Sequence, residues 1–108
     1  MKKVWLGRIS TSAALLALGA LAALAQKDPK DLYLDKCAVC HGPDGAAKTA
    51  KGKKLKMKGV QETSAKMSAA DMIKIVDAGK GPDMDAFGKQ YSKDEIKALV
   101  DYYRSLGK

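Results

Sequence analysis

Residues 37 to 41 read Cys-Ala-Val-Cys-His, and Cys37, Cys40 and His41 are the only cysteines and the only histidine in the chain. Two thiols three residues apart lie on one side of a helical turn, so each can reach one vinyl group of the same porphyrin. The adjoining imidazole can bind the iron, and C-x-x-C-H is the signature of covalent c-type haem attachment. With no other cysteine or histidine, a tetrahedral zinc site cannot be assembled. Two plainer readings compete. A redox-active C-x-x-C belongs at the strand-to-helix junction of a βαβ unit, and no convincing strand flanks this one. The other is a merely structural disulfide.

The amino terminus has the organisation of an export signal. Lys2, Lys3 and Arg8 form a basic region, Ile9 to Leu24 is apolar and alanine-rich, and Ala23-Leu24-Ala25 offers the small residues a signal peptidase requires. A signal peptide over 1–25 is expected, cut between Ala25 and Gln26, with one domain over 26–108. The alternative is an uncleaved anchor, but the Ala, Ser and Gly content makes the stretch weakly hydrophobic. No cysteine follows the small residues, so lipidation is not indicated. Export suits the motif, because thiols destined for haem must be handled outside the reducing cytosol.

Removing 25 of 108 residues leaves 83, which is one small domain. A chain this short buries only about 60–65% of its unfolded surface and commonly needs a staple. A covalent porphyrin would serve, and the lean apolar content supports the need for one. Without Lys2, Lys3 and Arg8 the formal charge of +8 falls to +5. The excess gathers in Lys48, Lys51, Lys53, Lys54, Lys56 and Lys58, a stretch with little periodicity that reads as a long loop. It is either a solvated loop or a docking patch for an acidic partner. Nucleic acid is disfavoured, since the chain is exported and no aromatic residues interleave with these lysines.

Three helices can be placed around the motif. The first opens at Asp28-Pro29, with Asp28 as N-cap and Pro29 at the first helical position, and runs through Leu32 and Tyr33 into the cysteines. The second opens with Ser68-x-x-Asp71, carries Met72, Ile73 and Val76 on one face and stops at Gly79. The third opens with Ser92-x-x-Glu95 and carries Ile96, Leu99, Val100 and Tyr103 at helical spacing before Gly107. No segment alternates as a half-buried strand would.

The order helix, C-x-x-C-H-G, basic stretch, helix, Gly-x-Gly-Pro-x-Met, capped helix resembles the class I cytochromes c, in particular the short bacterial single-haem type. The specific pieces are Cys37 to Gly42, Gly79 to Phe87, and Ile96 to Leu106. The resemblance implies an all-α cytochrome c fold, with three main helices wrapped around one covalently attached haem c. It implies thioethers at Cys37 and Cys40, His41 as proximal iron ligand and Met84 as distal ligand. Met57, Met67 and Met72 are the competing sulfurs. Met72 reads as core, Met67 as a staple residue ahead of a helix cap, and Met57 is the main rival.

The chain departs from that pattern in places. Asp85 stands where a proline usually follows the distal methionine, and Asp83 precedes it. Two carboxylates there favour ferric iron. The lysine stretch has none of the prolines that family members tend to carry in the loop after the haem motif, whose carbonyl orients the histidine, so no acceptor for the second nitrogen of His41 can be named. Pro29 replaces a glycine that often marks the crossing of first and last helices, although Tyr33 and Tyr102 stand where the family packs aromatics.

The expected function is that of a soluble periplasmic electron carrier and not an enzyme, because two axial side chains leave the iron no open position. Its partners would be redox proteins, acidic at their docking surfaces if the lysine stretch is a docking patch, with no stable membrane association after cleavage and a monomeric state. If Met84 did not bind, an open iron could act as a peroxidase or gas sensor. If haem were absent, the chain would be an exported thiol-disulfide protein.

Overall fold

The computed structural model describes residues 27–108; the signal peptide expected over 1–25 lies outside the described residues. Six helices follow one another: α1 (Pro29–Lys36), α2 (Ala38–His41), α3 (Ala50–Lys54), α4 (Val60–Lys66), α5 (Ala69–Ala78) and α6 (Lys93–Ser105). Among the described residues there is no strand, only an isolated bridge between Lys80 and Met84. None of these helices is long and apolar enough to cross a membrane.

Local chemistry accounts for most of the boundaries. Asp28 caps α1 by accepting from the N–H of Lys30 at 2.8 Å, with Pro29 at the first position. Ser68 and Asp71 form a reciprocal capping box at α5, and Ser92 and Glu95 form another at α6. Gly79, at φ +80°, ends α5.

Two expectations need correction. The first helix does not run unbroken into the cysteines: it stops at Lys36, and Cys37, at φ −113°, separates it from α2. The lysine stretch is not one long loop either. Thr49 accepts from the N–H of Gly52 at 3.0 Å and thereby caps α3, which contains Lys51, Lys53 and Lys54. Helix α4 follows directly, anchored by buried Val60.

Helix α6 is the spine. Its buried Ile96, Leu99 and Val100 recur at helical spacing, and α1, α4 and α5 all pack against it. Leu32 and Tyr33 of α1 meet Leu99 in the core, and the Tyr33 and Tyr102 rings lie 5.3 Å apart at the crossing. With Ala47, Val60 and Met72, eight hydrophobic residues are buried among the described residues, and no charged or polar residue there joins them. So small a core leaves the space between α2, α5, α6 and the Met84 segment to something else.

Candidate haem-binding cleft

Helix α2 presents the Cys-x-x-Cys-His motif, and its end is held by hydrogen bonds from outside the helix. The Thr49 hydroxyl reaches the carbonyls of Val39 (2.9 Å) and Cys40 (3.1 Å) while accepting from α3. These are last-turn carbonyls with no partner inside the helix. The Tyr33 hydroxyl donates to the Gly42 carbonyl at 2.6 Å, and Ala47 N–H donates to the His41 carbonyl at 2.8 Å. Gly52 lets α3 approach this closely: a Cβ there would stand 2.6 Å from the carbonyl oxygens of both Ala47 and Cys40. Lysine-rich sequence had hidden the roles of Thr49 and Gly52; the Thr-x-x-Gly capping pattern was the available signal.

Met84 sits in a tight loop held on both sides. Lys80 N–H donates to the Met84 carbonyl at 2.9 Å, and Met84 N–H to the Lys80 carbonyl at 3.3 Å. Downstream, Phe87 N–H and Gly88 N–H donate to the carbonyls of Val76 and Asp77 at the end of α5, at 2.9 and 3.0 Å. Gly79 lies against this loop, where a Cβ would come within 2.8 Å of the Met84 carbonyl.

One cleft of about 510 Å³ gathers Cys37, Cys40, His41 and Met84. Phe87, Leu99, Val100 and Tyr103 contribute to its apolar lining. Helix α5 turns Met72, Ile75 and Val76 toward it, so Ile75 replaces the Ile73 expected on that face. Met57 and Met67 also line it, and every described methionine therefore reaches the cleft. Met72 is nevertheless core, at 6% exposure, as its helical position implied. A shallower depression beside Gly42, Pro43 and Thr49 holds none of the four candidate residues.

The electrostatics count against thiol exchange. Burial pushes the Cys37 thiol up to about 11, with Cys40 adding to the rise. A redox dithiol needs the opposite shift. Burial also lowers the pKa of His41, keeping the imidazole neutral with a lone pair to give to a metal. Its Nδ1 is buried without a hydrogen-bond partner among the described residues. Two thiols, a neutral imidazole and a thioether on one apolar cleft are a donor set that fits haem iron and its vinyl groups.

The mouth of the cleft is charged. Lys36, Lys51, Lys56, Lys58, Lys66 and Lys80 line it, together with Glu62, Asp83 and Asp85. Lys36 pairs with Asp35 and Lys66 with Glu62, whereas the other four lysines have no carboxylate within ion-pair distance among the described residues. Val39, between the cysteines, is 60% exposed, so this edge of the cleft faces solvent.

Residues 24–102 match the family described as cytochrome c oxidase, cbb3-type, subunit III. The chain belongs to this family of c-type cytochrome domains. A curated relative, the cbb3-type cytochrome c oxidase subunit FixP of Azorhizobium caulinodans, is 30% identical over 83 residues, covering 77% of this chain and 28% of that protein. The cytochrome domain thus spans little more than a quarter of that relative's length. Among solved structures, the KustC0563 c-type cytochrome superposes with a TM-score of 0.68 at 33% identity, covering 76% of this chain and all of that one. A tyrosine-to-phenylalanine variant of Kustc0563 gives 0.66 at 32% identity over 74% and 99% of the respective chains. The cytochrome c fold expected from the resemblance is the one found, and a c-type cytochrome is an electron carrier.

Proposed function

We propose that the chain is a single-haem electron carrier, with haem c joined to Cys37 and Cys40 and with iron between His41 and Met84. The observation that carries this reading is the convergence of the only two cysteines, the only histidine and Met84 on one apolar cleft. Bound haem supplies a one-electron ferric/ferrous couple. His41 gives a neutral imidazole nitrogen. The Met84 thioether, a soft ligand, favours the reduced state more than a second imidazole would. Held by His41 and Met84, the iron would offer no position to oxygen, peroxide or substrate, and on this reading the chain is a carrier and not itself an enzyme. The apolar lining excludes water, while the exposed edge at Val39 lets a partner approach. Unpaired Lys51, Lys56, Lys58 and Lys80 steer a partner whose docking surface is acidic. The leader supports export and cleavage, giving a soluble, monomeric periplasmic shuttle.

A second reading follows from the relative FixP, an oxidase subunit: the domain serves as an electron-delivery module held within a larger oxidase assembly. Fractionation of native cells separates the two, since a shuttle is recovered alone in the periplasmic fraction and a subunit elutes with its complex from solubilised membrane.

The ligand assignment is tested by optical spectra of holoprotein, wild type against Met84→Leu. The expected wild type is low-spin, with a weak ferric sulfur-to-iron band that the substitution abolishes. A high-spin ferric wild type that binds carbon monoxide readily on reduction would overturn the carrier reading. A band that survives the substitution would move the ligand to another sulfur, Met57 first.

A further inference from the structure

The buried Nδ1 of His41 has no hydrogen-bond partner among the described residues, so none of their carbonyls fixes the plane of this imidazole. What meets the ring is the side chain of Tyr103, edge-on, with ring centroids 5.2 Å apart and an interplanar angle of 65°. Tyr103 is itself tethered. Its hydroxyl lies 2.9 Å from Thr63 Oγ1, which also lies 3.3 and 3.2 Å from the carbonyls of Gly59 and Val60. A carbonyl only accepts, so the Thr63 proton goes to the α4 backbone and the Tyr103 O–H donates to Thr63. The phenol is therefore held by α6 at its Cα and by α4 at its hydroxyl.

The backbone of His41 is fixed independently. Its N–H donates to the Cys37 carbonyl at 2.9 Å, its own carbonyl accepts from Ala47, and Gly42 is tied to Tyr33. The remaining freedom is rotation of the imidazole about its side-chain bonds, and Tyr103 stands across that rotation.

We propose that Tyr103, tethered by Thr63, sets the plane of the His41 imidazole in place of a carbonyl partner at Nδ1. Both are then positioning residues for the proximal ligand, an inference that rests on the haem reading above. An imidazole that gives its N–H to no carbonyl or carboxylate is also a weaker donor to iron, which moves the couple toward reduction.

The test uses full-length holoprotein as wild type, Thr63→Val, Thr63→Ser and Tyr103→Leu. Proton NMR of the ferric state follows the haem methyl shifts, whose order and spread report the plane of the axial ligand, and potentiometry follows the midpoint. Thr63→Val keeps the shape and removes the tether, so it and Tyr103→Leu are expected to rearrange the methyl shifts. Thr63→Ser keeps the hydroxyl and is expected to restore the wild-type pattern. Methyl shifts and midpoints that match wild type in both Thr63→Val and Tyr103→Leu, with haem content and melting intact, would overturn the proposal alone. A wild type without a low-spin histidine-methionine spectrum would overturn the haem reading and this inference with it.

Discussion

Replacing Gly52 by alanine places a methyl group where two helices have no room for one. An ideal Cβ at this position lies 2.6 Å from the carbonyl oxygens of Ala47 and Cys40, both of them backbone atoms. Close carbon–oxygen contacts settle at about 3.3–3.6 Å, so α3 must retreat by roughly 0.7 Å or more from the haem-motif helix. Overpacking that forces such shifts costs about 1–3 kcal/mol, and two simultaneous backbone contacts belong at the upper end, about 3 kcal/mol. Alanine returns about 1 kcal/mol through its better helix propensity, leaving a net loss of about 2 kcal/mol. For a domain of this size each kcal/mol lowers the midpoint by about 4–8 °C, so the Gly52→Ala holoprotein should melt roughly 8–16 °C below wild type. The retreat also pulls Thr49 away from the carbonyls of Val39 and Cys40, which it bridges to α3. Thermal melts followed by circular dichroism and by the haem absorption band read both effects. A midpoint equal to or above wild type would refute the close-approach argument.

Gly79→Ala forces an alanine into φ +80° and pushes its Cβ against the Met84 carbonyl, which should cost about 1–3 kcal/mol. Its signature is loss of the sulfur-to-iron band at a lower temperature than global unfolding. Asp83→Asn and Asp85→Asn each remove a negative charge from the cleft mouth and should raise the midpoint potential, each by an amount on the order of 0.5–1 kcal/mol for a partly screened charge. Potentiometric titration at low and high salt checks this, and an unchanged or lowered midpoint in the double variant would contradict it. Lys51→Glu combined with Lys80→Glu should slow reduction by an acidic redox protein at low ionic strength, and the deficit should shrink in high salt. Stopped-flow rates that are equal at all salt concentrations would remove these lysines from the docking surface.

What could be seen in the sequence was what carries its own local signal. The capping boxes at Ser68 and Ser92 mark α5 and α6 because side chain and backbone satisfy each other within four residues, without help from the rest of the fold. The four candidate site residues were picked out by chemistry and order, and the structure places all of them on one cleft. Helices α3 and α4 were not, because neither carries an apolar period: α3 is mostly lysine, and Val60 is the only buried residue of α4. Helix α3 depends on a tertiary contact, the approach of Gly52 to the Cys40 carbonyl. The break at Cys37 carries no glycine or proline to announce it. Tyr103 was read only as a core position of a helical stripe; that it meets His41 follows from the packing of α6 across α2, which no spacing along the chain encodes.

The loop around Met84 has one more consequence. Lys80 and Met84 exchange backbone hydrogen bonds, and Phe87 and Gly88 are tied to the end of α5, so the main chain is fixed on both sides of the thioether. If Met84 is the iron ligand, as proposed, a thioether mounted this way would have little room to relax when the charge beside it changes. The nuclear rearrangement accompanying each electron would then be small, and the pace of transfer would depend on how closely and how often a partner approaches.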